Sequence, residues 1–542
     1  MKKGEIYNGI VERIDYPNKG IVRIEGVADS AATQSATTQS AVAEGGGEPV
    51  RVRIKRVLPG ERISLRLKKK RRGIWEGEKL ESLEPGPDAC EPICPHAADC
   101  GGCAYQGLAY EAQTALKEQQ VLNVLSKALN ADQTEEHERM QHDPADDGST
   151  NILSSIWEGI HASPAETDYR NKMEFTFGDA YKGGPLALGL HKRGAFHDIV
   201  TADGCRICDP DFSEIVRVTR DYFEEKQIPF YHRMRHDGYL RHLLVRKGHH
   251  TGEILIDLVT AGSGDSASEC SESTDNKSDI EETNKCTKQA YKHEFGKREE
   301  LLTGWVDAVQ ALESQGHLEG RIVGILHTKN DRLGDVIEDQ GTDVLFGEDH
   351  FTDQVLGLDF AITPFSFFQT NTAGAEVLYG IVRDYLGDVT GKRVYDLYSG
   401  TGTIAQILAP AADEVIGVEI VPEAVEAARD NAAHNGLSNC RFLCGDVFEV
   451  LDSQTDAGEA PDVIVLDPPR EGVRPQALKK ILGYGAERIV YVSCQITSLA
   501  RDLPVITEAG YHLQRATSVD MFPYTTGVET VVLLRGEKLT DI

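Results

Sequence analysis

The stretch YDLYSGTGTIA, residues 395–405, decides the fold. It begins as an apolar strand, turns at Gly400 and Gly402, and continues into a helix. Glycine is needed where the backbone turns sharply and approaches a ligand. Asp396 lies at the end of this strand, and Glu419 lies 19 residues after Gly400, at the end of the next strand. A carboxylate there accepts hydrogen bonds from ribose hydroxyls, which predicts a nucleotide cofactor.

The same rhythm of strand and helix continues from about residue 361. Its further segments are EVIGVEIVPEAVEAARDNAAHNG, DVIVLDPPR and RIVYVSCQ. Short apolar strands that alternate with helices indicate a parallel sheet with helices on both faces. The predicted fold class of this half of the chain is therefore α/β.

The Gly-x-Gly-x-x-Ala spacing alone does not separate a nicotinamide enzyme from one that uses S-adenosylmethionine. The segment LDPPR, which begins with Leu466 and places Asp467 at the end of the fourth strand, favours the second. Ligands of open α/β sheets bind at the carboxyl ends of the strands, and a rigid Asp-Pro-Pro suits a planar base held beside a methyl donor. Asp446 stands where a contact with the adenine amino group is expected. Any one of these acids alone is also explained by a turn or a helix cap, whereas the ordered set favours the cofactor site.

Cys494 ends the strand RIVYVSCQ and is predicted to face the same crevice as Asp467. The alternative is a small buried core residue, because free cysteines are often buried. C5 of uracil is a weak nucleophile until a thiolate adds to C6, after which a base must remove the C5 proton. Glu529, in FPYTTGVETVVLL, is the candidate base. Arg470 is a candidate to lower the pKa of the thiol.

Charge is distributed unevenly along the 542 residues. The net charge is −30, yet residues 51–72 carry 11 Lys/Arg against one acid, and residues 1–75 sum to +8. Residues 1–75 also contain short strand-like runs separated by Gly and Pro-Gly turns, which predicts a small barrel of the oligonucleotide-binding type. A basic barrel on an acidic body can meet a phosphate backbone. The alternative is a solvated basic surface.

The termini and the cysteines indicate a cytoplasmic protein. The N-terminus lacks the apolar core of a secretory signal, and no apolar run approaches the length of a membrane span. An odd number of cysteines without a signal argues for a reducing compartment, where clustered cysteines bind metals or catalyse. We therefore expect no membrane partner, and no obligate protein partner is predicted.

Several stretches identify the chain as similar to a known family. They are CPHAADCGGCAYQ, DYRNKMEFTFG, FFQTNTAGAEVLY, DLYSGTGT, GVEIVPEAVE, VLDPPREG, YVSCQITSLARDL and DMFPYTTGVETVVLL. With them the chain resembles the bacterial 23S ribosomal RNA (uracil-5)-methyltransferases, relatives of the transfer-RNA uracil-54 methyltransferase. The resemblance covers almost the whole chain apart from three insertions, and its implied substrate is 23S ribosomal RNA.

The resemblance implies roles for individual residues. Cys494 would be the nucleophile and Glu529 the proton acceptor. The residues expected to bind S-adenosylmethionine are Gln369, Tyr398, Glu419 and Asp467, to which the sequence pattern adds Asp446. Relatives commonly carry histidines near the base, where this chain has Tyr524 and Gly527.

The resemblance also implies a domain organisation: a Rossmann-like class I methyltransferase domain, an N-terminal OB-like barrel of the TRAM type, and a central α+β domain that carries an iron–sulfur cluster. The expected ranges are 1–75 for the barrel, 76–108 and 131–360 for the central RNA-binding domain, and 109–130 with 361–542 for the methyltransferase domain. The segment 109–130 has the spacing of an amphipathic helix. The insertions, for which we expect no core role, are about 28–48, 131–166 and 262–297.

Four of the 11 cysteines lie within CEPICPHAADCGGC, residues 90–103. Read alone, this is a local four-thiolate site of the kind that binds zinc. The family pattern Cys-x5-Cys-Gly-Gly-Cys instead selects three of these four cysteines as ligands, and its fourth ligand comes from a distant segment. The implied ligands are Cys94, Cys100, Cys103 and Cys205. The implied group is a [4Fe–4S] cluster, with zinc as the alternative. Cys208 is the rival of Cys205, and Cys90 becomes the spare, although spacing does not exclude it.

Two other activities compete with uracil methylation of ribosomal RNA. A transfer-RNA uracil-5-methyltransferase would use the same residues. An RNA cytosine-5-methyltransferase would carry a Pro-Cys at the end of the fourth strand, where this chain has Asp467-Pro468-Pro469. A radical enzyme would need Cys-x3-Cys-x2-Cys, and the gap of five residues after Cys94 breaks that pattern. A non-catalytic ribosome-binding factor is disfavoured by the complete set of candidate residues.

Overall fold

The computed structural model describes residues 1–28, 49–137, 150–195, 197–262, 298–334, 336–450 and 460–536. The chain forms two compact units. Unit 1 consists of Met1–Ile93, Cys103–Glu166 and Ala373–Ile542, and unit 2 consists of Cys94–Gly102 and Thr167–Thr372. Within the described residues, no helix is long and apolar enough to span a bilayer.

Unit 1 begins with the closed barrel that the sequence predicted. Its strands are β1 (Ile6–Asp15), β2 (Lys19–Ala28), β3 (Pro49–Ile54), β4 (Arg62–Arg71) and β5 (Ile74–Glu84), in the order β1-β2-β3-β5-β4. Inward side chains such as Val22, Val52 and Ile63 are fully buried. The barrel extends past the expected end at residue 75, because β5 pairs with both β3 and β4 to close it. Most of the expected insertion 28–48 lies outside the described residues.

The fifth strand changes the charge of the barrel. β5 carries four glutamates against one lysine, so residues 1–84 sum to +5 rather than the +8 of residues 1–75. Its glutamates pair with the basic strand β4: Glu78 with Lys68 at 2.7 Å, and Glu84 with Arg62 at 2.8 Å. Exposed pairs of this kind contribute little stability. They do neutralise part of the positive charge of residues 51–72, which the sequence predicted to form a basic surface.

The second part of unit 1 is an eight-stranded sheet in the order β18-β17-β16-β19-β20-β22-β21-β6. Strands β16 to β20 are mutually parallel, and β22 runs antiparallel between β20 and β21. The strands are β6 (Trp157–His161), β16 (Arg393–Leu397), β17 (Glu414–Glu419), β18 (Cys440–Cys444), β19 (Val463–Leu466), β20 (Arg488–Ser493), β21 (Tyr511–Val519) and β22 (Glu529–Gly536). The predicted α/β class is confirmed.

Besides a short helical segment at residues 447–450, several helices accompany these strands in the described part of the chain. They are α1 (Tyr110–His137), α2 (Thr150–Ile156), α5 (Thr372–Leu386, whose first residue belongs to unit 2), α6 (Thr403–Leu408), α7 (Pro422–His434), α8 (Pro475–Gly483) and α9 (Ile496–Glu508). Val121 and Leu125 of α1 share one buried core with Tyr395, Ile464 and Tyr491 of the sheet.

The segment 131–166 differs from its expected status as an insertion. The helix α1 continues to His137, and β6 pairs in parallel with β21, through Ala516 and Trp157 among others. The Trp157 Nε1 donates to Glu118 Oε1 at 2.7 Å. An edge strand of five residues with a mixed burial pattern is too short to give a clear periodic signal.

Unit 2 contains a seven-stranded sheet in the order β13-β12-β11-β10-β7-β8-β9, and a separate two-stranded sheet of β14 and β15. Its strands are β7 (Lys172–Asp179), β8 (Leu186–His191), β9 (Ile199–Thr201), β10 (Leu240–Lys247), β11 (Glu253–Thr260), β12 (Arg321–Lys329), β13 (Thr342–Gly347), β14 (Phe351–Val355) and β15 (Leu358–Ile362). Its helices are α3 (Pro210–Glu225) and α4 (Arg298–Ser314). Nearly all of the expected insertion 262–297 lies outside the described residues.

Candidate active site

The two predicted catalytic residues, Cys494 and Glu529, occupy adjacent strand ends. Ser493 and Thr530 are direct partners in the antiparallel pair of β20 and β22. Cys494 follows Ser493 and Glu529 precedes Thr530, so the two side chains leave the sheet at the same edge. Parallel strands also end at this edge, which places the thiol and the carboxyl group where ligands of α/β sheets bind.

Burial dominates the electrostatics of Glu529. Its side chain is 5% exposed, and this desolvation raises its pKa to about 8. The nearby Asp467 carboxyl group raises that pKa further, whereas the Arg470 guanidinium lowers it. A carboxyl group with a pKa near the working pH can both accept and hold a proton, as a general base requires.

Cys494 shares the same surroundings. Desolvation, followed by the charges of Glu529 and Asp467, raises the pKa of its thiol to about 12, and only Arg470 among these groups opposes the rise. The thiol is therefore protonated at neutral pH in this structure. A nucleophilic role requires that a base take the thiol proton or that the neighbouring carboxyl groups remain neutral.

Asp467 lies between β16 and the strand ends that carry Cys494 and Glu529, which form the candidate catalytic edge. It follows β19, and its backbone N–H donates to the carbonyl oxygen of Leu397 at 3.4 Å. Burial raises the pKa of its carboxyl group to about 7. Asp467 therefore stands between the turn after β16 and the pair formed by Cys494 and Glu529.

The turn after β16 has the backbone that a close ligand approach requires. Gly400 and Gly402 adopt positive φ angles of 53° and 74°, and Tyr398 has a φ of 68°, which side-chain-bearing residues rarely adopt. A Cβ added at Gly402 would lie 2.5 Å from Phe442. Asp396 is fully buried and its Oδ2 accepts from Ala405 N at 2.9 Å.

Glu419 and Asp446 already accept hydrogen bonds from their own loops. The Glu419 carboxylate accepts from Gly400 N at 3.0 Å and from Ile420 N at 2.8 Å. The Asp446 carboxylate accepts from Phe448 N at 2.9 Å and pairs with the guanidinium of Arg474. Each carboxylate has four lone-pair sites, so acceptor capacity is left on both.

The geometry of this turn fits a nucleotide-type cofactor. Within the described residues, the buried Asp396 Oδ1 has no hydrogen-bond partner, which is the state expected of a polar group that a ligand completes. The glycine turn, the orphaned oxygen and three carboxylates along one sheet edge together make an acceptor-rich crevice.

The sequence comparisons identify the family. Residues 340–537 match the family described as tRNA (Uracil-5-)-methyltransferase. An uncharacterized RNA methyltransferase of Clostridium tetani is 39% identical to the chain, with 99% of this chain and 98% of that protein covered. The chain belongs to the RNA (uracil-5)-methyltransferase family. A second relative, from Clostridium acetobutylicum, is 41% identical over 90% of this chain and 92% of that protein.

A solved structure shares the fold of this RNA methyltransferase. The tRNA (uracil-54, C5)-methyltransferase of Pyrococcus abyssi, determined in complex with S-adenosyl-L-homocysteine, matches with a TM-score of 0.64. It covers 97% of this chain and 100% of its own, with 20% of the residues identical. At that identity the comparison establishes the fold alone.

Gln369, the remaining predicted cofactor residue, belongs to unit 2 of the methyltransferase. Its carbonyl oxygen accepts from Asn171 Nδ2 at 3.3 Å. The loop before it is held by Arg246, which is 1% exposed and donates from Nη1 to the carbonyl oxygens of Thr363 and Ser366, both at 2.8 Å. The loop is therefore tightly fastened within its own unit.

The predicted metal ligands are only partly brought together. In unit 2, Cys94 and Cys205 are buried and their thiols share a hydrogen bond, and Cys205 also hydrogen-bonds with Cys208. Cys100 belongs to the same unit, whereas Cys103 belongs to unit 1. In the described part of the chain, no group of three or more His, Cys, Asp or Glu side chains is arranged to hold a metal ion. The cluster therefore stays a prediction.

An ion pair that the sequence did not reveal fixes the segment before Glu529. Lys117 of α1 is 1% exposed and donates from Nζ to Asp520 Oδ1 at 2.6 Å and to the carbonyl oxygen of Phe522 at 3.1 Å. Gln113 Oε1, one turn earlier, accepts from Tyr524 N at 2.8 Å. A lysine inside the apolar stripe of a helix was the available signal.

Proposed function

We propose that this RNA methyltransferase methylates C5 of a uridine in 23S ribosomal RNA, with S-adenosylmethionine as the methyl donor. The observation that carries the proposal is the register of β20 and β22, which sets Cys494 beside Glu529 at the edge that also holds Asp467. C5 methylation needs a thiol for C6 and a base for the proton at C5, side by side.

The reaction divides between these two residues. The Cys494 thiol loses its proton to solvent, its sulfur bonds to C6, and the electron pair of the C5–C6 double bond moves toward C5 and O4. S-adenosylmethionine, when bound, supplies the electrophilic methyl group that C5 accepts. Glu529 then removes the C5 proton, the double bond re-forms and the sulfur leaves. Because the pKa of Glu529 is raised to about 8, the carboxylate is a stronger base than an exposed glutamate.

The cofactor is assigned to the turn after β16. Glu419 would accept hydrogen bonds from the ribose hydroxyls, and Asp446 would accept one from the adenine amino group. Tyr398 lines the turn, and Asp467 would bind near the methyl group, whereas the assignment of Gln369 to the cofactor rests on the resemblance alone. The buried and unpartnered Asp396 Oδ1 supports a polar ligand at this turn.

The choice of RNA rests on the resemblance and not on the site. The family description and the Pyrococcus relative both name transfer RNA, in their own cases, so transfer RNA is the second candidate substrate. The N-terminal barrel, with its net charge of +5 over residues 1–84, would meet the phosphate backbone of either RNA.

A trapping experiment tests this function. RNA that carries 5-fluorouridine should form a covalent complex with the protein and S-adenosylmethionine, because fluorine at C5 cannot leave as a proton. Cys494→Ala should abolish the complex. Cys440→Ala, which changes the first residue of β18, should retain it. Formation of the complex by Cys494→Ala, or its absence in the native protein with both RNAs, would reject the proposal.

A further inference from the structure

Tyr16 lies in the short connection between β1 and β2 of the barrel, where Asp15 pairs with Lys19. Two buried side chains of unit 1 fix this connection. The hydroxyl of Tyr105 donates to the carbonyl oxygen of Pro17 at 3.0 Å, and Gln120 Nε2 of α1 donates to the carbonyl oxygen of Ile14 at 3.0 Å. The turn therefore has a defined position within unit 1.

The Tyr16 ring leaves the barrel and joins the methyltransferase part of the unit. It packs against the buried core of the eight-stranded sheet, not against the core of the barrel. Its phenol interacts electrostatically with Cys494, Glu529 and Arg470. The barrel thus contributes one side chain to the catalytic edge.

The phenol is an available donor at this edge. Among the residues that the structure describes, the Tyr16 hydroxyl has no hydrogen-bond partner, whereas other buried tyrosines have one: Tyr105 with Pro17, and Tyr491 with Asp502. Partial burial is the largest cause that raises the pKa of the Tyr16 phenol, and the negative charges of Cys494 and Glu529 raise it further. The hydroxyl therefore keeps its proton at neutral pH. The Tyr16 oxygen is not among the buried polar atoms that lack a partner, so solvent reaches it and a substrate oxygen can replace water as its acceptor.

The position of the substrate follows from the proposed function, on which this inference rests. Cys494 must reach C6 of the uracil and Glu529 must reach C5. The carbonyl at C4 is bonded to C5, so O4 lies close to whatever group approaches C5. As the sulfur–carbon bond forms, negative charge collects on O4, and a donor placed there stabilises the addition more than it stabilises the bound uracil.

We propose that the Tyr16 hydroxyl donates a hydrogen bond to O4 of the target uracil while Cys494 adds to C6. No proton is transferred in this step: the new bond joins sulfur and C6, and the displaced electron pair is held on C5 and O4. The N-terminal barrel then has a second role beside RNA binding. The domain that would bind RNA then also carries a catalytic residue.

The test compares Tyr16→Phe with Tyr7→Phe. Tyr7 belongs to the same barrel and its hydroxyl bonds to Glu5 at 2.6 Å, away from the catalytic edge. Single-turnover methylation is measured at saturating RNA and S-adenosylmethionine, together with the RNA dissociation constant and the melting temperature. For Tyr16→Phe we expect a loss of roughly 100-fold in rate, the lower end for removal of one donor from an oxyanion site. RNA affinity and melting temperature should stay unchanged, and Tyr7→Phe should match the native protein in all three.

The outcomes separate this inference from the function that it presumes. If the native protein methylates uridine and Tyr16→Phe reacts within about threefold of the native rate, the hydroxyl has no role and the inference is overturned. A loss of RNA affinity by Tyr16→Phe with an unchanged rate at saturation would make Tyr16 a binding residue only, and would also overturn it. If neither RNA is methylated by the native protein, the proposed function fails first.

Discussion

Cys494 and Glu529 stand at neighbouring ends of one antiparallel strand pair, because Ser493 and Thr530 are direct partners. After desolvation, the Glu529 carboxylate is the next cause that raises the pKa of the Cys494 thiol. With the proposed roles, the nucleophile and the base are coupled: the Cys494 thiolate is easier to form when Glu529 is neutral, and proton removal from C5 requires that Glu529 be ionised.

The methylation rate should rise with pH. A base with a pKa of about 8 is roughly one-tenth ionised at pH 7 and mostly ionised at pH 9, so proton removal should accelerate ~10-fold over this range. Arg470 lowers the pKa of both Glu529 and Cys494. Arg470→Gln should therefore move the profile to higher pH, and Arg470→Lys should move it less. Tritium release from C5-labelled uridine RNA measures this, and a flat profile would exclude Glu529 as the base.

Acidic conditions should stabilise the fold through Asp396. Burial raises the folded-state pKa of this carboxyl group to about 7, above its unfolded value. The folded state therefore holds the Asp396 proton more tightly than the unfolded state does. This contribution to stability is complete below the unfolded pKa and is lost as pH rises through about 7. Without cofactor, the melting temperature should thus fall between about pH 4 and pH 7, and Asp396→Asn should lessen that fall. Asp467 and Glu529, whose pKa values are also raised, contribute to what remains. An equally steep fall in the variant would show that Asp396 does not titrate in this range.

The ion pair of Lys117 and Asp520 should be essential for stability. Both side chains are almost fully buried, and removal of one partner of such a pair costs about 3–5 kcal/mol. Lys117→Met should lower the free energy of unfolding by that amount in urea titrations. The double variant Lys117→Met, Asp520→Leu should recover much of the loss because no buried charge is left alone. A Lys117→Met protein as stable as the native one would contradict the buried pair.

The metal prediction has its own measurement. Protein purified without oxygen should contain about four iron atoms and absorb visible light if the four thiolates hold a [4Fe–4S] cluster. Cys205→Ser should remove the iron, and Cys90→Ser, at an exposed position, should retain it. Protein purified without iron or zinc would contradict the prediction. If Cys205→Ser keeps its iron and Cys208→Ser loses it, the fourth ligand is Cys208 instead of Cys205.

The sequence predicted the parts of the molecule that repeat a local pattern. The strand, glycine turn and helix around Asp396 carry their own periodicity and turn chemistry, so the α/β sheet and the cofactor edge were both readable. The barrel was readable from its short strands, although its closure needed β5, whose glutamates the sequence had left outside the basic module.

What the sequence did not predict depends on contacts between distant segments. The strand β6 is held by β21 across more than 350 residues, and Lys117 finds Asp520 at a similar separation. Tyr16 reads as an ordinary turn residue, and only the packing of the barrel turn brings it to Cys494. Raised pKa values are likewise properties of burial, which no spacing of residues displays.

Glu529→Gln tests the central claim most directly. With S-adenosylmethionine and unmodified uridine RNA, this variant should accumulate protein linked to methylated RNA, because the C5 proton stays in place and the sulfur cannot leave. Mass spectrometry of the digested complex should find 5-methyl-5,6-dihydrouridine attached to the peptide that contains Cys494. Release of free methylated RNA by Glu529→Gln at the native rate, or attachment to a different cysteine, would contradict the account.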